Sequence, residues 1–220
     1  MASQFGFDRA LIKASSILDR IRHRFGGNTG SGFEMLEKAL RYPATESLTY
    51  TDFIKRYERQ DIANRVVQSP VNMAWSTDPI VTESGPKETR FEKEWGELAE
   101  VLDLYTTFSK IDLLSRLGRF AVLVLGVADG RDSSQEIAKG STLKYVNYFP
   151  QPNVRVVEWD NDISSYRFGA PLMYELQIDL NGGESTQVRM VHWSRVVHVA
   201  QATTSDKYSG IPVLLPIYNR

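Results

Sequence analysis

Cysteine is absent from this chain of 220 residues. Its absence excludes disulfide frameworks, thiolate metal sites, zinc fingers and cysteine nucleophiles, and it is consistent with a reducing compartment. Long hydrophobic runs are missing as well. The longest covers residues 120–128, whereas a helix that crosses a membrane needs about 20 apolar residues. The sequence therefore predicts a protein that does not cross a bilayer.

The chain also lacks an excess of positive charge. Lysine and arginine together number 26, and aspartate and glutamate number 27, which gives a net charge of −1. No global positive field therefore favours nucleic acid, and any contact with DNA must be local. The N-terminus lacks the basic region and apolar stretch of a secretory signal. We therefore expect the product to stay in the cytosol where it is made.

The composition that remains is that of a globular protein, with 42% apolar and 11% aromatic residues. Helical periodicity dominates the first half of the chain. The predicted helices cover 7–25, 33–40, 50–67, 88–105 and 108–117. Ser69-Pro70 predicts a break after the third helix, because proline disfavours helix in the preceding residue. The segment 75–85 is predicted to be extended chain and loop.

In the second half of the chain the apolar pattern changes to a period of two. Gly118 is predicted to end the last helix, and the apolar run after it predicts a core strand. The predicted strands cover 119–127, 143–149, 154–159, 172–180, 186–191 and 196–200. Asn181-Gly182-Gly183 predicts a hairpin turn between the fourth and fifth strands. A helical N-terminal half followed by a mainly antiparallel sheet indicates an α+β fold.

The pattern divides the chain into three predicted parts: an N-terminal helix or arm with a glycine-rich linker (1–32), a helical part (33–118) and a β-rich part (119–220). The arm has a basic face that could contact nucleic acid or an acidic partner, although cations also favour the C-terminal end of any helix. That face carries Arg9, Lys13, Arg20, Arg22 and Arg24.

Motifs for metal or nucleotide chemistry are scarce. The three histidines, His23, His192 and His198, do not form a metal-binding motif. An acidic cluster at 158–162 could bind a hard cation, but acidic strand ends also serve solubility. The glycines of 26–32 match neither a phosphate loop nor a dinucleotide site.

One fragment, His192-Trp193-Ser194, is similar to one half of a phosphoesterase in which two His-x-Ser/Thr elements supply acid and base. The second element is missing from the sequence, and so is a Gly-x-Ser-x-Gly elbow. His198 lies in an apolar strand, where a histidine is commonly a core or interface residue. We therefore predict no enzyme, no catalytic residue, no metal and no cofactor.

Five ordered blocks carry more specific information. They are Tyr57-x3-Asp61-Ile62-Ala63-x-Arg65-Val66-Val67 with Trp75 and Asp78-Pro79; Arg116-Leu117-Gly118-Arg119 running to Gly126; Asp160-x3-Ser164-Ser165-Tyr166-Arg167-Phe168-Gly169-x-Pro171-x2-Tyr174; Val191-His192-Trp193-Ser194-Arg195-Val196-Val197-His198; and Gly210-x-Pro212-x-Leu214. In this order they resemble tailed-bacteriophage portal proteins, of the branch first catalogued as phage-associated proteins of unknown function.

The resemblance implies a portal wing-like fold and a structural, mechanical role. About a dozen identical subunits would form a ring at one capsid vertex, through which double-stranded DNA is packaged and later ejected. The implied partners are the major capsid protein, the terminase, which hydrolyses ATP, and the head–tail adaptor. The implied location is the virion, after assembly in the host cytoplasm, with no membrane partner.

Portal subunits are usually about twice as long as this chain. The chain is therefore expected to correspond to the N-terminal wing region, with the stem, clip and crown following Arg220. The resemblance assigns no tunnel-lining or DNA-contacting residue.

Seven motif residues are interpreted as structural or interface residues. They are Arg119, Arg167, Gly169, Pro171, His192, Ser194 and Arg195. The guanidinium groups of Arg167 and Arg195 could form ion pairs between subunits or pin a loop within one subunit. Gly169 and Pro171 are expected to shape a tight turn.

Two other functions stay open at this point. One is a phage-encoded domain associated with a phosphodiesterase that acts against bacterial cyclic-nucleotide defence, as in some relatives of this branch. It would require paired histidine motifs, of which the sequence contains one half. The other is a head–tail connector, which is also ring-forming but usually much shorter and without the Arg116–Gly126 passage.

Overall fold

Four helices precede six strands in the computed structural model, which describes residues 48–83, 85, 89–180 and 185–218. The helices are α1 (Tyr50–Arg59), α2 (Asp61–Ala74), α3 (Arg90–Val101) and α4 (Leu104–Leu117). The strands are β1 (Ala121–Ala128), β2 (Thr142–Pro150), β3 (Val154–Trp159), β4 (Pro171–Leu180), β5 (Ser185–His192) and β6 (Val196–Val199). The predicted α+β class is confirmed. The helices predicted over 7–25 and 33–40 and the turn at 181–183 lie outside the described residues.

The strands form two antiparallel sheets of three strands each. Sheet A has the order β2-β1-β6, and sheet B has the order β3-β4-β5. In sheet B, β4 and β5 pair from Met173 opposite His192 to Leu180 opposite Ser185. The antiparallel pairing expected for the fourth and fifth strands is thus confirmed. Among the described helices, none is long and apolar enough to cross a membrane.

Strand β1 is buried on both faces. Val122 and Val124 pack against sheet B, while Ala121 and Leu123 pack against Ile111 of α4. Successive side chains of a strand point to opposite faces, so a strand covered on both sides has an uninterrupted apolar sequence. The prediction that this run forms a core strand is confirmed.

A second core lies among the helices. Phe53 of α1 and Val67 of α2 pack with Leu117, the last residue of α4. Leu214, from the C-terminal segment, is completely buried in the same cluster. The last of the five sequence blocks therefore completes the helical core.

Capping boxes set the starts of α1 and α3. The backbone amide of Thr49 donates to the Asp52 carboxylate over 2.9 Å, and that of Thr89 donates to the Glu92 carboxylate over 2.9 Å. The Thr89 hydroxyl accepts from the amide of Glu92. These bonds satisfy amides that have no partner within the helix, which stabilises each first turn.

Two boundaries in the first helical region differ from the predictions. Gln60 has an extended backbone, with φ −116° and ψ 119°, and it divides the helix predicted over 50–67 into α1 and α2. The predicted break at Ser69-Pro70 is wrong, because α2 continues to Ala74. Proline removes one helical hydrogen bond. Burial of Val67 and Val71 on either side of it holds the helix together.

The third difference concerns the helices predicted over 88–105 and 108–117. The first ends at Val101, and α4 begins at Leu104. Asp103 between them adopts the left-handed conformation, with φ 46° and ψ 49°. The apolar stripe continues across this break, so periodicity alone could not locate it.

Candidate functional site

Three of the seven predicted site residues lie where β5 passes into β6. His192 ends β5, and Ser194 and Arg195 belong to a short 3-10 turn, Trp193–Arg195, that leads into β6. We call residues 192–195 the motif turn. It faces residues 129–140, which we call the 129–140 loop and which form most of the connection between β1 and β2.

Arg195 is buried and paired within its own subunit. Its Nη2 atom donates to Oδ2 of Asp129 over 2.5 Å, and its Nε atom donates to the backbone carbonyl of Gln135 over 2.9 Å. The two side chains are 5% and 1% exposed. One guanidinium therefore holds both the start and the middle of the 129–140 loop.

The Asp129 carboxylate is further stabilised in its charged form. Desolvation raises the pKa of Asp129, but hydrogen bonds from the amides of Arg131 and Ala138 and from Arg195 outweigh it, so that the pKa falls below its usual value. The two amides lie 3.1 and 3.3 Å from the carboxylate oxygens. The pair is therefore ionised at neutral pH.

His192 and Ser194 fasten the same loop. The Ser194 hydroxyl accepts from the amide of Ile137 over 3.0 Å and lies 2.9 Å from Nδ1 of His192. The backbone amide of His192 donates to the carbonyl of Ser133 over 2.9 Å. Burial lowers the pKa of His192, and the positive charges of Arg167 and Arg195 act in the same direction, against Glu136. A neutral imidazole beside a hydroxyl can act as the base that activates a nucleophile. Here, however, the Ser194 hydroxyl also accepts the hydrogen bond that holds the 129–140 loop.

Arg167 connects a second loop, residues 160–170 between β3 and β4, to the motif turn. Its guanidinium carbon lies 3.5 Å from the ring centroid of Trp193. Its Nη2 atom donates to the backbone carbonyl of Pro171 over 3.0 Å. Its Nε atom is buried without a hydrogen-bond partner. Arg167 therefore acts through stacking and one hydrogen bond within its own subunit.

The 160–170 loop is closed at its base. The amide of Asp160 donates to the carbonyl of Ala170, and the amide of Gly169 donates to the carbonyl of Asp160, both over 2.8 Å. Gly169 has φ +77°, a conformation that glycine adopts without strain. Pro171, which is fully buried, begins β4 directly after the loop.

The acidic cluster has local hydrogen-bond partners. The Asp160 carboxylate accepts from the amide of Asp162 and the hydroxyl of Ser165, and the Asp162 carboxylate accepts from the amide and hydroxyl of Ser164. The bonds from Ser164 lower the pKa of Asp162. In the part of the chain that the structure describes, no group of three acidic, histidine or cysteine residues is placed to hold a metal ion.

Arg119 lies apart from the other predicted site residues. Its amide donates to the side chain of Gln151 over 2.8 Å, and its carbonyl accepts from the amide of Gly210 over 2.7 Å. Its side chain is exposed. Strand β1, eight residues and about 26 Å long, separates it from Asp129. The structure therefore brings together six of the seven residues through the motif turn and the 160–170 loop.

Sequence reasoning missed Asp129 and Gln135. Asp129-Gly130 directly after a core strand is a turn signal, but no sequence feature indicates that this aspartate pairs with an arginine 66 positions later. In the sequence, Trp193 stands out only as part of the histidine motif. Its role as the stacking partner of Arg167 depends on how the 160–170 loop packs on the motif turn.

We expect Arg167→Lys to loosen the 160–170 loop and to lower the free energy of unfolding by about 1–2 kcal/mol, because lysine lacks the planar group that stacks on an indole. Amide hydrogen exchange should increase in this loop and in the motif turn. Arg155→Lys, at an exposed position of β3, is the control and should change neither measurement. Equal rates of amide hydrogen exchange in Arg167→Lys and Arg155→Lys would contradict the proposed role of the Arg167–Trp193 contact.

His198, on β6, is enclosed by aromatic rings. Its ring stacks on Phe120 with centroids 4.7 Å apart. Its Nε2 atom donates to the carbonyl of Tyr208 over 2.8 Å, and Nδ1 lies 3.3 Å from the Tyr174 hydroxyl, which donates to it. Burial lowers the pKa of His198, against smaller contributions from the Tyr208 carbonyl and Asp206. The folded protein therefore favours the neutral ring.

This geometry predicts acid sensitivity. Since the pKa of His198 is lower in the folded chain, the unfolded chain binds more protons once the pH falls below about 6.5, and stability is lost as the pH falls towards the folded pKa. Urea unfolding at pH 7.5 and pH 5.5 should show this loss, with a smaller difference in His198→Gln. The pKa of His192 is also lowered in the folded chain, so part of the loss of stability at low pH should remain in His198→Gln. If the loss of stability between pH 7.5 and pH 5.5 were the same in His198→Gln as in wild type, the prediction would be wrong.

Comparison with known proteins adds one finding. A family model described as phage portal protein matches residues 52–220, more than three quarters of the chain. A search of curated proteins gave no significant match. The matched range includes the motif turn, both loops and all seven predicted site residues.

Proposed function

The chain belongs to the phage portal protein family, and on this basis we propose that it forms the wing region of a portal subunit. About a dozen copies form a homo-oligomeric ring at one vertex of the capsid. Double-stranded DNA is packaged through this ring and later leaves through it. The ring contacts the major capsid protein, docks the terminase during packaging and carries the head–tail adaptor afterwards.

The family match over 52–220 carries this proposal. We further propose that residues 33–118 form the helical part of the wing and residues 119–220 the β-rich part, and that residues 1–32 are an arm and linker. Arg119, whose side chain is exposed, is proposed as an interface residue. The other six motif residues are proposed to be structural.

The arrangement of the motif turn supports a structural role. Arg195, Ser194 and the backbone of His192 all bond to the 129–140 loop, so their polar groups hold the subunit together. A subunit that guides DNA through a ring needs a rigid frame, and the energy for packaging comes from ATP hydrolysis by the terminase. The proposed function therefore assigns no catalytic residue to this chain.

The test is to isolate the native assembly that contains this chain, to image it by negative-stain electron microscopy, and to measure the intact mass of its subunits. We expect a hollow ring and, in source particles, a label on this chain at a single capsid vertex. A label distributed over the capsid or confined to the tail would contradict the proposal.

Incubation with cyclic oligonucleotides tests the enzymatic alternative. The expected result is no turnover above that of a buffer control. Turnover that disappears in His192→Ala, while the fold is retained in hydrogen exchange, would overturn the structural assignment and make the His192–Ser194 contact an active site.

A further inference from the structure

The 160–170 loop presents an unusual set of exposed side chains. Ile163 is 84% exposed, Tyr166 is 89% exposed and Phe168 is 57% exposed. We call these three residues the apolar tip. With about 150–250 Å² per aromatic side chain, the two rings alone expose roughly 200–350 Å². Together with Ile163 this approaches the roughly 300–600 Å² of the largest apolar patch on a typical monomer, which is often functional.

The loop beneath the apolar tip is suited to burial. The carboxylates of Asp160 and Asp162 and the hydroxyls of Ser164 and Ser165 are already bonded within the loop. Stacking of Arg167 on Trp193 holds the loop against the motif turn. A partner that covered the tip would leave these carboxylates and hydroxyls paired as they are, so the cost of burying them is small.

An apolar cavity lies elsewhere on the same chain. It has a volume of about 510 Å³ and lies between helices α3 and α4 and the outer face of sheet A. We call it the apolar groove. Its walls include Trp75, Trp95, Phe108, Leu125, Val146 and Val197. Val197 is 46% exposed there.

The polar residues of the groove are already paired. Asp112 bonds to Arg116, to the indole of Trp75 and to Gln201, and Gln201 also bonds to Ser115. The groove therefore offers no free polar group to a ligand. Aromatic and aliphatic side chains are the occupants that suit it, which is the chemistry of the apolar tip.

The apolar tip does not fill the groove of its own copy. On β6, Val197 and Val199 line the groove, while His198 points to the opposite face and contacts Tyr208. Tyr208 packs against Trp159, the residue just before the loop. Sheet A therefore separates the base of the 160–170 loop from the groove.

We propose that the apolar tip of one copy inserts into the apolar groove of the next copy. This contact joins two different surfaces of identical chains, and such head-to-tail contacts generate closed rings when the rotation between copies closes. The two rings of the tip supply a quarter to under half of the roughly 800 Å² that each partner contributes to a stable interface. The inference rests on the proposed function, because it specifies the contact between neighbouring subunits of that ring.

Crosslinking tests this contact directly, because the natural chain has no cysteine. One preparation of the full chain carries Tyr166→Cys and a second carries Val197→Cys. The two are mixed and treated with a short bismaleimide. We expect crosslinked dimers only in the mixture, and a ladder of multimers from a chain that carries both substitutions. Val188→Cys, exposed on β5, replaces Val197→Cys in the control and should give no crosslink.

A measurement of self-association distinguishes a stable contact from a crosslink formed during random collisions. Tyr166→Asp should weaken self-association at least about 10-fold, whereas Val188→Asp should leave it unchanged, and both should unfold at the wild-type temperature. Rings in the electron microscope without the crosslink would overturn this contact but not the proposed ring. Crosslinks without rings would support the contact and contradict the proposed ring. The absence of both rings and crosslinks, or a tip that crosslinks to a different protein, would overturn the inference.

Discussion

Arg195→Met is expected to lower the free energy of unfolding by about 3–5 kcal/mol, because removing one partner of a buried ion pair leaves the other charge without compensation. The remaining carboxylate, on Asp129 at the start of the 129–140 loop, is almost completely buried. The loss is a large fraction of the roughly 5–15 kcal/mol that stabilises a typical domain. Urea unfolding measures this loss of stability, and the dependence of the unfolding free energy on urea concentration should equal that of wild type.

Two further variants identify the cause of the loss. Asp129→Asn in the Arg195→Met background removes the uncompensated charge and keeps an acceptor for the loop amides, so it should recover part of the lost stability. Arg65→Met removes the exposed ion pair with Asp61, in which the side chains are 75% and 78% exposed, and should cost less than about 1 kcal/mol. The explanation by charge burial is wrong if Arg195→Met is as mild as Arg65→Met.

Gly210→Ala is expected to destabilise the fold by about 3 kcal/mol, at the upper end of the range for overpacking. A Cβ atom at this position would overlap the backbone carbonyl of Gln201 and would lie 3.1 Å from the carbonyl oxygen of Arg119. Both neighbours are backbone atoms, which cannot rotate away as a side chain can. The amide of Gly210 also bonds to Arg119, so any shift breaks this contact and displaces the segment that carries Leu214.

The matched control is Gly96→Ala. Gly96 lies on the exposed side of α3, and a Cβ atom there would meet nothing within 4 Å. Alanine in a helix is favoured over glycine by about 1 kcal/mol, so this variant should be stabilised. Thermal unfolding of the two variants should therefore shift in opposite directions. A shift in the same direction for both would refute the close-approach argument for Gly210.

The strands were the part of the fold most open to prediction, because β1 is a continuous apolar run of strand length and the later runs alternate with a period of two between turn residues. All six predicted strands occur, with ends that differ by at most two residues. Helix boundaries were less predictable. Gln60 and Asp103 interrupt helices without any break in the apolar pattern, and Pro70 fails to interrupt one.

The candidate site was predictable only in part. The motif residues His192, Ser194 and Arg195 were singled out because their order in the sequence resembles that of a known family. What they contact could not be read in the same way. Their partners lie on the 129–140 loop, about 60 positions earlier, and a local pattern contains no information about which distant loop will be packed against it.

Sequence alone was enough to predict the α+β class, the core strand β1 and the resemblance to portal proteins, because each depends on the spacing or order of residues within short stretches of the chain. The packing of distant segments was needed to establish that Arg195 pairs with Asp129, that Gly210 fits against two carbonyl groups, and that sheet A separates the base of the 160–170 loop from the apolar groove. These features arise when distant segments meet in a packed interior, where burial changes the cost of a charge or of one added methyl group.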